Sequence, residues 1–172
     1  MALCQLLAQR NIANWVMGGW GVDALLGRQT RNHHDLDLLV SFDDLGALQD
    51  LLFEQGFSRK LIWDDENRWV DVRGVQSPTA FVEADGRGRE LDVHVIQLVP
   101  GGAPIPLCDV PWSFDEHSLL NGVGTIAGAP VRCVSTETQL QMHAGYELPP
   151  NHQQDVERLR ELLGDGPPRR HS

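Results

Sequence analysis

The sequence has few basic residues for its length. Its 172 residues include 14 Lys and Arg against 24 Asp and Glu, which gives a formal net charge of −10 at pH 7. Proteins that bind DNA or RNA owe much of their affinity to Lys and Arg side chains that neutralise phosphates. The acidic balance therefore argues against a nucleic-acid partner, and it permits a small, cationic substrate.

Cysteine and long apolar runs are also scarce. Cys4, Cys108 and Cys133 are widely spaced, odd in number and without a CxxC motif, so no disulfide framework is predicted. The N-terminal segment MALCQLLAQR lacks the basic start of a signal peptide. No segment approaches the roughly 20 apolar residues that a membrane span needs. We therefore expect a cytoplasmic protein with no membrane partner.

Two aspartates stand out against this background. Asp35 and Asp37 lie one residue apart in the leucine-rich segment HHDLDLLV. Residues two apart on a strand point to the same face, so both carboxylates are expected to project together. Neighbouring carboxylates repel each other unless a cation or a proton lies between them, and partial burial adds to the cost. A divalent metal would relieve this repulsion, and such sites commonly catalyse in-line displacement at phosphorus.

Hydrophobic periodicity predicts mixed helices and strands in the first part of the chain. An amphipathic N-terminal helix is followed by the strand WVM, a Gly-Gly pair and a short helix, VDALLG, closed by Gly27. The segment LDLLVSF is predicted as the second strand. Ser41 or Asp43 would then cap a leucine-rich helix that Gly56 ends.

The middle of the chain is predicted to be mainly β-structure. FSRKLIW, TAFVEA and RELDVHVIQLV are predicted as strands, with a hairpin turn at Asp85-Gly86 between the last two. The Gly- and Pro-rich stretch 100–111 is predicted as loop. The segment LLNGVGTIAGAPVRCV is predicted as a further short hairpin that turns near Gly128.

The C-terminal part is predicted as two helices. Ser135 would cap a helix that runs to about residue 146, and Asn151 would cap a last helix to about residue 163. Pro149-Pro150 separates the two. No domain linker is apparent, and we expect a core over 1–134, a C-terminal helical segment over 135–163 and a disordered tail over 164–172.

The segment VMGGWGVDALLGRQTRNHHDLDLLV carries a family resemblance. Its order of Gly-Gly, helix and Asp-x-Asp strand resembles the nucleotidyltransferase fold of the DNA polymerase β superfamily. GGWGVDALLG and TRNHHDLDL are most similar to lincosamide nucleotidyltransferases, and next to aminoglycoside 2″-nucleotidyltransferases. ELDVHVIQL, IAGAPVRCVS and ETQLQMHAGYEL resemble the lincosamide group in the same order. The resemblance implies an α+β fold with a mixed sheet flanked by helices and a short C-terminal helical segment.

The resemblance also implies a two-metal mechanism. Asp35 and Asp37 would hold two Mg²⁺ ions that bridge the triphosphate of an NTP co-substrate, since Mg²⁺ prefers carboxylate and phosphate oxygens. Asp92 would complete the site from a neighbouring strand, as the base that deprotonates the acceptor hydroxyl or as a metal ligand. Glu90, Asp92 and His94 alternate with apolar residues and so share one face of their strand. The alternative for Asp92 is a solvated position.

Gly18 and Gly19 are the predicted phosphate-binding turn. The resemblance implies that they bring backbone N–H groups and the following helix start up to the triphosphate. Gly19 lacks the hydroxyl that many superfamily members carry there, so other residues would add phosphate contacts. Arg28, Arg31 and His33 are the candidates, and a solvated loop position is an equal alternative for each arginine.

Glu90, His94, His143 and Tyr146 are the predicted acceptor-binding residues. His143 and Tyr146 lie three apart in HAGYEL, a segment similar to one in the lincosamide group, and would share one helical face. The roles of three further residues stay open: Trp20 as a core residue or a contact to the nucleotide, Asp23 as a cap or salt-bridge residue or a functional one, and Asp155 as a residue that complements the helix dipole. Further acids are read as a solvated face or, alternatively, as an acidic wall that attracts a protonated amine: Asp64, Asp65, Glu66, Asp71 and Glu83.

The expected reaction is transfer of a nucleoside monophosphate from an NTP, with ATP as the first choice, to a hydroxyl of a small antibiotic. Pyrophosphate is released and the drug is inactivated. The resemblance favours a lincosamide acceptor. The alternatives are an aminoglycoside acceptor, or a toxin–antitoxin type of nucleotidyltransferase that acts on a macromolecule. The resemblance further implies that a second subunit can complete the cleft in a homodimer.

Overall fold

A computed structural model of the chain describes residues 2–100, 104–109, 113–115, 119 and 121–164. The helices are α1 (Ala2–Gln9), α2 (Gly18–Leu26), α3 (Leu45–Glu54), α4 (Thr136–Met142) and α5 (Pro150–Leu163), with 3₁₀ turns at Phe42–Asp44 and Asp64–Glu66. The strands are β1 (Asn14–Met17), β2 (Asp35–Ser41), β3 (Phe57–Ile62), β4 (Trp69–Val72), β5 (Val75–Pro78), β6 (Ala80–Asp85), β7 (Glu90–Gln97), β8 (Ile105–Pro106), β9 (Val123–Ile126) and β10 (Ala129–Arg132). The predicted α+β fold is confirmed.

One mixed sheet organises the molecule. Strands β1, β2, β7, β6 and β3 lie side by side in that order, and β8 adds to β7 as the sixth strand. Only the central β2–β7 pair is parallel, and the other pairs of this sheet are antiparallel. Two small hairpins, β4–β5 and β9–β10, stand apart from it. The parallel pair places the N-terminal ends of β2 and β7, with their aspartates, side by side.

The two faces of the sheet pack against different layers. On one face, alternate apolar residues of β2 and β7, such as Leu38 and Val93, are fully buried with leucines of α1 and α3. Strand alternation turns the other residues of β2 and β7 to the opposite face. There Leu39 and Ile96 form a second cluster with Trp15, and the carboxylates lie on the same face nearer the strand starts. The buried cluster between the sheet and helices α1 and α3 therefore fixes the positions of β2 and β7, which carry the carboxylates.

Several local predictions are confirmed. Gly27 ends α2 with φ +67°, and the predicted hairpins β6–β7 and β9–β10 are present. Ser135 caps α4, since its side chain accepts a hydrogen bond from the Thr138 backbone N–H. The last helix ends at Leu163, as predicted.

Other local predictions are wrong. Neither Ser41 nor Asp43 caps α3; a 3₁₀ turn precedes this helix and no side chain caps it. Asn151 lies inside α5, which begins one residue earlier at Pro150, a residue well suited to a first helical position. Within the predicted loop 100–111, Ile105–Pro106 pairs with β7, and the β4–β5 hairpin was not predicted.

The predicted helix to residue 146 is also shorter than expected. Helix α4 ends at Met142 and His143 follows as its C-cap, with Gly145 in a left-handed conformation at φ +90°. His143 and Tyr146 therefore do not share a helical face. The tail beyond residue 164 lies outside the described residues. In the part of the chain that the structure describes, no helix is long and apolar enough to span a membrane.

Candidate active site

Strands β2 and β7 bring three aspartates together. In their parallel register Asp37 lies directly opposite Asp92, and Asp35 lies opposite Glu90. Asp35 and Asp37 share one face because they are two apart, and Asp92 faces the same way from the neighbouring strand. The structure thus assembles the three residues that the sequence identified, and we call Asp35, Asp37 and Asp92 the carboxylate triad.

The triad is electrostatically strained at Asp37. Burial, together with the charges of Asp35 and Asp92, raises the pKa of this carboxyl to about 7. A proton or a cation between the carboxylates relieves that repulsion. The donor set, three hard carboxylates of which one resists ionisation, fits a divalent cation such as Mg²⁺.

The protein alone supplies only part of a metal site. Among the described residues, no three His, Cys, Asp or Glu side chains converge as a ready-made cation-binding cluster. A cation at the triad would therefore take further ligands from water or from a bound phosphate, which is how Mg²⁺ is usually held.

Asp92 is held by two neighbours. The Trp63 indole Nε1 donates a hydrogen bond to Asp92 Oδ1 at 2.9 Å, and His94 Nε2 lies 3.4 Å from the same oxygen. His94 Nδ1 lies 3.5 Å from a Glu66 carboxylate oxygen. Burial alone would lower the pKa of His94, but the hydrogen bond and charge of Asp92, with the charge of Glu66, raise it above the usual value. Both contacts to Asp92 are thus made through Oδ1.

Helix α2 begins at the glycine pair instead of after it. Gly18 has φ +59°, and a Cβ atom there would collide with the carboxylate of Asp37. A Cβ atom at Gly19 would collide with the His33 ring and the Arg31 guanidinium. No side chain caps the helix, whose N-cap is Met17. The first turn of α2 therefore presents backbone N–H groups beside the triad, an arrangement that suits phosphate.

Hydrogen bonds to Asp23 hold the loop after α2 in place. This carboxylate is 2% exposed and accepts hydrogen bonds from the backbone N–H and hydroxyl of Thr30. Its other oxygen lies 2.5 Å from His33 Nε2, and the His33 side chain is itself only 2% exposed. The His33 ring also packs against Trp20. The buried His33 ring thus packs against Gly19, which differs from the predicted direct contact with phosphate.

The two loop arginines differ in their surroundings. Arg31 donates to the buried carboxylate of Asp155 at 2.9 Å and so connects the loop to α5. Asp155 also pairs with Arg158, so its role is that of a buried ion-pair partner, not only a helix-dipole residue. Arg28 is exposed at the end of α2. Arg31 also stands next to Gly19, since a Cβ atom there would meet its guanidinium.

An apolar cavity of about 670 Å³ lies beside the triad. His94 and Tyr146 line it, as the sequence predicted, together with Glu66. Of the described residues that line it, Glu66 alone carries a carboxylate. Most of the remaining wall is apolar and includes Met17, Leu39, Ile96, Phe114 and Met142.

Two of the predicted acceptor-binding residues lie outside this lining. Glu90 pairs with Lys60 at 2.5 Å across the sheet. His143 is buried, and its Nδ1 lies 2.7 Å from the Gln139 carbonyl oxygen. Tyr146 is half exposed and its hydroxyl lies 3.0 Å from His152 Nδ1. Sequence reasoning missed Trp63 and the position of Glu66, because neither has a local motif to mark it.

Residues 1–159 match the family model of the aminoglycoside-2″-adenylyltransferases. The chain belongs to this family. A 2″-aminoglycoside nucleotidyltransferase of Klebsiella pneumoniae is 30% identical over 85% of this chain and 74% of the relative. A lincosamide resistance protein of Staphylococcus haemolyticus is 22% identical over 93% of this chain and 91% of its own.

Solved structures agree on the fold of this family member. A lincomycin-bound lincosamide antibiotic adenylyltransferase superposes with a TM-score of 0.76 at 23% identity, covering 94% of both chains. A 2″-aminoglycoside enzyme in complex with adenylyl-2″-tobramycin gives a TM-score of 0.66 at 22% identity, covering 95% of this chain and 91% of its own. Membership of the family makes the chain a nucleotidyltransferase of the lincosamide and aminoglycoside type, and the family implies an NTP co-substrate.

Proposed function

We propose that the protein transfers a nucleoside monophosphate from ATP to a hydroxyl group of a lincosamide, in a reaction that depends on Mg²⁺. The observation that carries this proposal is the carboxylate triad beside the uncapped start of α2. A cation would relieve the repulsion between the Asp37 carboxylate and its neighbours, and the adjacent N–H groups suit the triphosphate. Membership of the family supports the same reaction.

In the proposed reaction the acceptor hydroxyl oxygen attacks the α-phosphorus of the nucleotide. The new P–O bond forms as the bond to the bridging oxygen breaks, and pyrophosphate leaves. Asp92 takes the hydroxyl proton, and the hydrogen bond from the Trp63 N–H to its Oδ1 orients the carboxylate. The start of α2 orients the phosphates. Mg²⁺ bound by Asp35 and Asp37 would neutralise charge on the phosphates and on the departing pyrophosphate.

The cavity lining favours a lincosamide as the acceptor. Lincosamides combine one basic amine with an alkyl chain and a hydroxylated thiosugar, whereas aminoglycosides carry several ammonium groups. A mostly apolar wall with Glu66 as the carboxylate among its described residues suits a single positive charge beside apolar surface.

The aminoglycosides remain the second candidate. The 30% identical relatives are named 2″-aminoglycoside nucleotidyltransferases, and the matching family model carries the same acceptor in its description. An acceptor of this class would need more anionic contacts than the lining of the cavity offers in the described residues.

Mass spectrometry of the reaction products tests both candidates. The protein is incubated with Mg²⁺ and each of the four NTPs, together with lincomycin, clindamycin or a panel of aminoglycosides. We expect lincomycin to gain the mass of AMP, with pyrophosphate released in equal amount. Adenylylation of aminoglycosides alone would replace the lincosamide assignment, and no product from either class would overturn the proposed function.

A further inference from the structure

We propose that Glu66 binds the protonated amine of the acceptor and so determines which acceptors are used. This inference rests on the proposed function, because it concerns the acceptor end of the same site. Five carboxylates in the acidic region of the sequence are candidates for attracting an amine, and the structure favours Glu66 among them.

The local fold separates Glu66 from the neighbouring acids. Asp64, Asp65 and Glu66 form the 3₁₀ turn that leaves β3 just after Trp63. Asp64 and Asp65 are exposed and do not line the cavity, whereas Glu66 is partly buried and does. Three consecutive carboxylates therefore have different surroundings, and only the third faces the space beside the reacting groups.

The other acids of the region are used or placed elsewhere. Glu83 is buried and pairs with Arg59 on the neighbouring strand. Asp71 accepts a hydrogen bond from the Gly74 N–H in the β4–β5 hairpin turn. Neither residue lines the cavity, so an acceptor amine inside it would meet Glu66.

The Glu66 carboxylate is available for a cation. In the described part of the chain its one ion pair is with His94 Nδ1 at 3.5 Å, a distance too long for a strong hydrogen bond. An ionised carboxylate has several acceptor positions, so an ammonium N–H can bind it without displacing His94. The Glu66 side chain is 47% exposed, so a cation can reach its carboxylate, and solvent partly screens the attraction.

The placement also fits the reaction. His94 stands between Glu66 and Asp92, with one ring nitrogen toward each. A single imidazole ring therefore separates the base that takes the hydroxyl proton from the carboxylate that would hold the amine. An acceptor anchored at Glu66 presents its hydroxyl group to Asp92, and orienting a reactant in this way raises the rate of transfer.

The test pairs two variants with two acceptors. Glu66→Gln keeps the shape of the side chain and removes its charge, and Asp65→Asn removes an adjacent exposed charge as the matched control. The acceptors are lincomycin and an acylated lincosamide analogue, in which an N-acyl group replaces the N-methyl group of the amine and makes it neutral. Initial rates at saturating ATP and Mg²⁺ give kcat and KM for all combinations, and circular dichroism checks that both variants are folded.

We expect Glu66→Gln to raise KM for lincomycin about three- to fivefold, as loss of one ion pair at a half-exposed carboxylate implies. The KM for the acylated analogue should change less than about twofold, and Asp65→Asn should leave both unchanged. An equal loss with both acceptors would show that Glu66 acts only through His94. An unchanged KM for lincomycin, or an equal effect of Asp65→Asn, would also overturn the inference.

Failure of the proposed function gives a different result. In that case the wild-type protein modifies no lincosamide with any NTP. Glu66 is then tested with an aminoglycoside that the wild-type protein does modify, again against Asp65→Asn. An unchanged KM for that acceptor in Glu66→Gln would overturn the inference independently of the drug class, and a raised KM in Glu66→Gln alone would support it.

Discussion

The Asp37 carboxylate connects the chemistry of the site with the stability of the fold. Its pKa is about 7 in the folded protein, whereas an aspartate in an unfolded chain titrates near pH ~3.9. The folded state therefore favours the neutral carboxyl. Below pH ~4 the group is protonated in both states, and as pH rises through about 7 the folded state progressively loses stability from this residue.

We expect Asp37→Asn to stabilise the metal-free protein at alkaline pH. An uncharged amide removes both the burial cost and the repulsion by Asp35 and Asp92, so the free energy of unfolding at pH ~8.5 should rise by on the order of 2 kcal/mol. The gain should shrink at pH ~5.5, where the wild-type carboxyl is largely protonated. Urea denaturation in the presence of a chelator measures both values.

The control for this experiment is Asp65→Asn, which removes an exposed charge from a 3₁₀ turn. It should leave the free energy of unfolding nearly unchanged at either pH. A variant Asp37→Asn that is less stable than the wild-type protein at pH ~8.5 would show that the Asp37 charge is compensated within the apoprotein.

Trp63 is predicted to be a positioning residue for Asp92. Trp63→Phe keeps an aromatic ring and removes the N–H that donates to Asp92 Oδ1. We expect kcat to fall about 10-fold, because the carboxylate loses its orientation, with KM for the acceptor changed less than about twofold. Steady-state kinetics on the adenylylation reaction separates the two constants.

Trp69→Phe provides the matched control, since Trp69 is 57% exposed on β4 in a separate hairpin. It should change neither constant. Equal kinetics for Trp63→Phe and the wild-type enzyme would remove the positioning role, and a purely raised KM would instead make Trp63 an acceptor contact.

The sequence predicted the triad but not its supports. Asp35 and Asp37 are marked by their spacing on one strand, and Asp92 by the polar alternation of another. Trp63 and Glu66 reach the site only because β3, β6 and β7 are neighbours in the sheet. Such tertiary proximity leaves no local pattern in the sequence, and periodicity cannot reveal it.

At the scale of elements, the start of α2 depends on close packing with the loop that follows it. The loop is fixed by Asp23 through Thr30 and His33, and the His33 ring lies where a side chain at position 19 would stand. A serine at this position would place its Cβ atom against the same ring, so the packing favours glycine.

We expect Gly19→Ala to lower the free energy of unfolding by about 1–3 kcal/mol, because a methyl group there overpacks His33 and Arg31. Gly86→Ala is the control, since nothing lies within 4 Å of an added Cβ at that exposed turn. Chemical denaturation of both variants measures the difference. A Gly19→Ala protein as stable as Gly86→Ala would contradict the packing described for α2.

Element boundaries were predicted less well than element types. The two proline-rich segments illustrate the reason, since Pro150 begins α5 and Pro106 lies in β8. Pro lacks an N–H group, which a first helical turn and a short edge strand both tolerate. The rule that proline breaks structure was therefore too coarse, and it hid the strand that borders the cavity.

At the scale of the whole molecule, the excess of acidic charge bears on how the acceptor arrives. The net charge of −10 attracts a cation over distances comparable with the Debye length, and salt screens this attraction. We expect kcat/KM for lincomycin to fall severalfold between about 0.01 and 0.15 M ionic strength. Comparison with the neutral acylated analogue at fixed ATP and Mg²⁺ isolates the charge of the acceptor.

An equal salt dependence for both acceptors would assign the effect to the nucleotide or the metal and would exclude attraction of the acceptor amine.

The overall architecture was predictable because the motifs occur in the order that the fold requires. The Gly-Gly pair, the helix and the Asp-x-Asp strand follow one another along the chain. The third aspartate, Asp92, lies on β7, which pairs directly with β2. The homodimer implied by the resemblance stays a prediction.

The most direct test of the central claim is the rate of pyrophosphate release by Asp92→Asn with ATP, Mg²⁺ and lincomycin. We expect kcat to fall at least about 100-fold, because the amide cannot take the hydroxyl proton, while the Kd for ATP stays within a few-fold of wild type. Asp65→Asn should keep the wild-type rate. Near-normal turnover by Asp92→Asn would contradict the assignment of the triad as the catalytic centre.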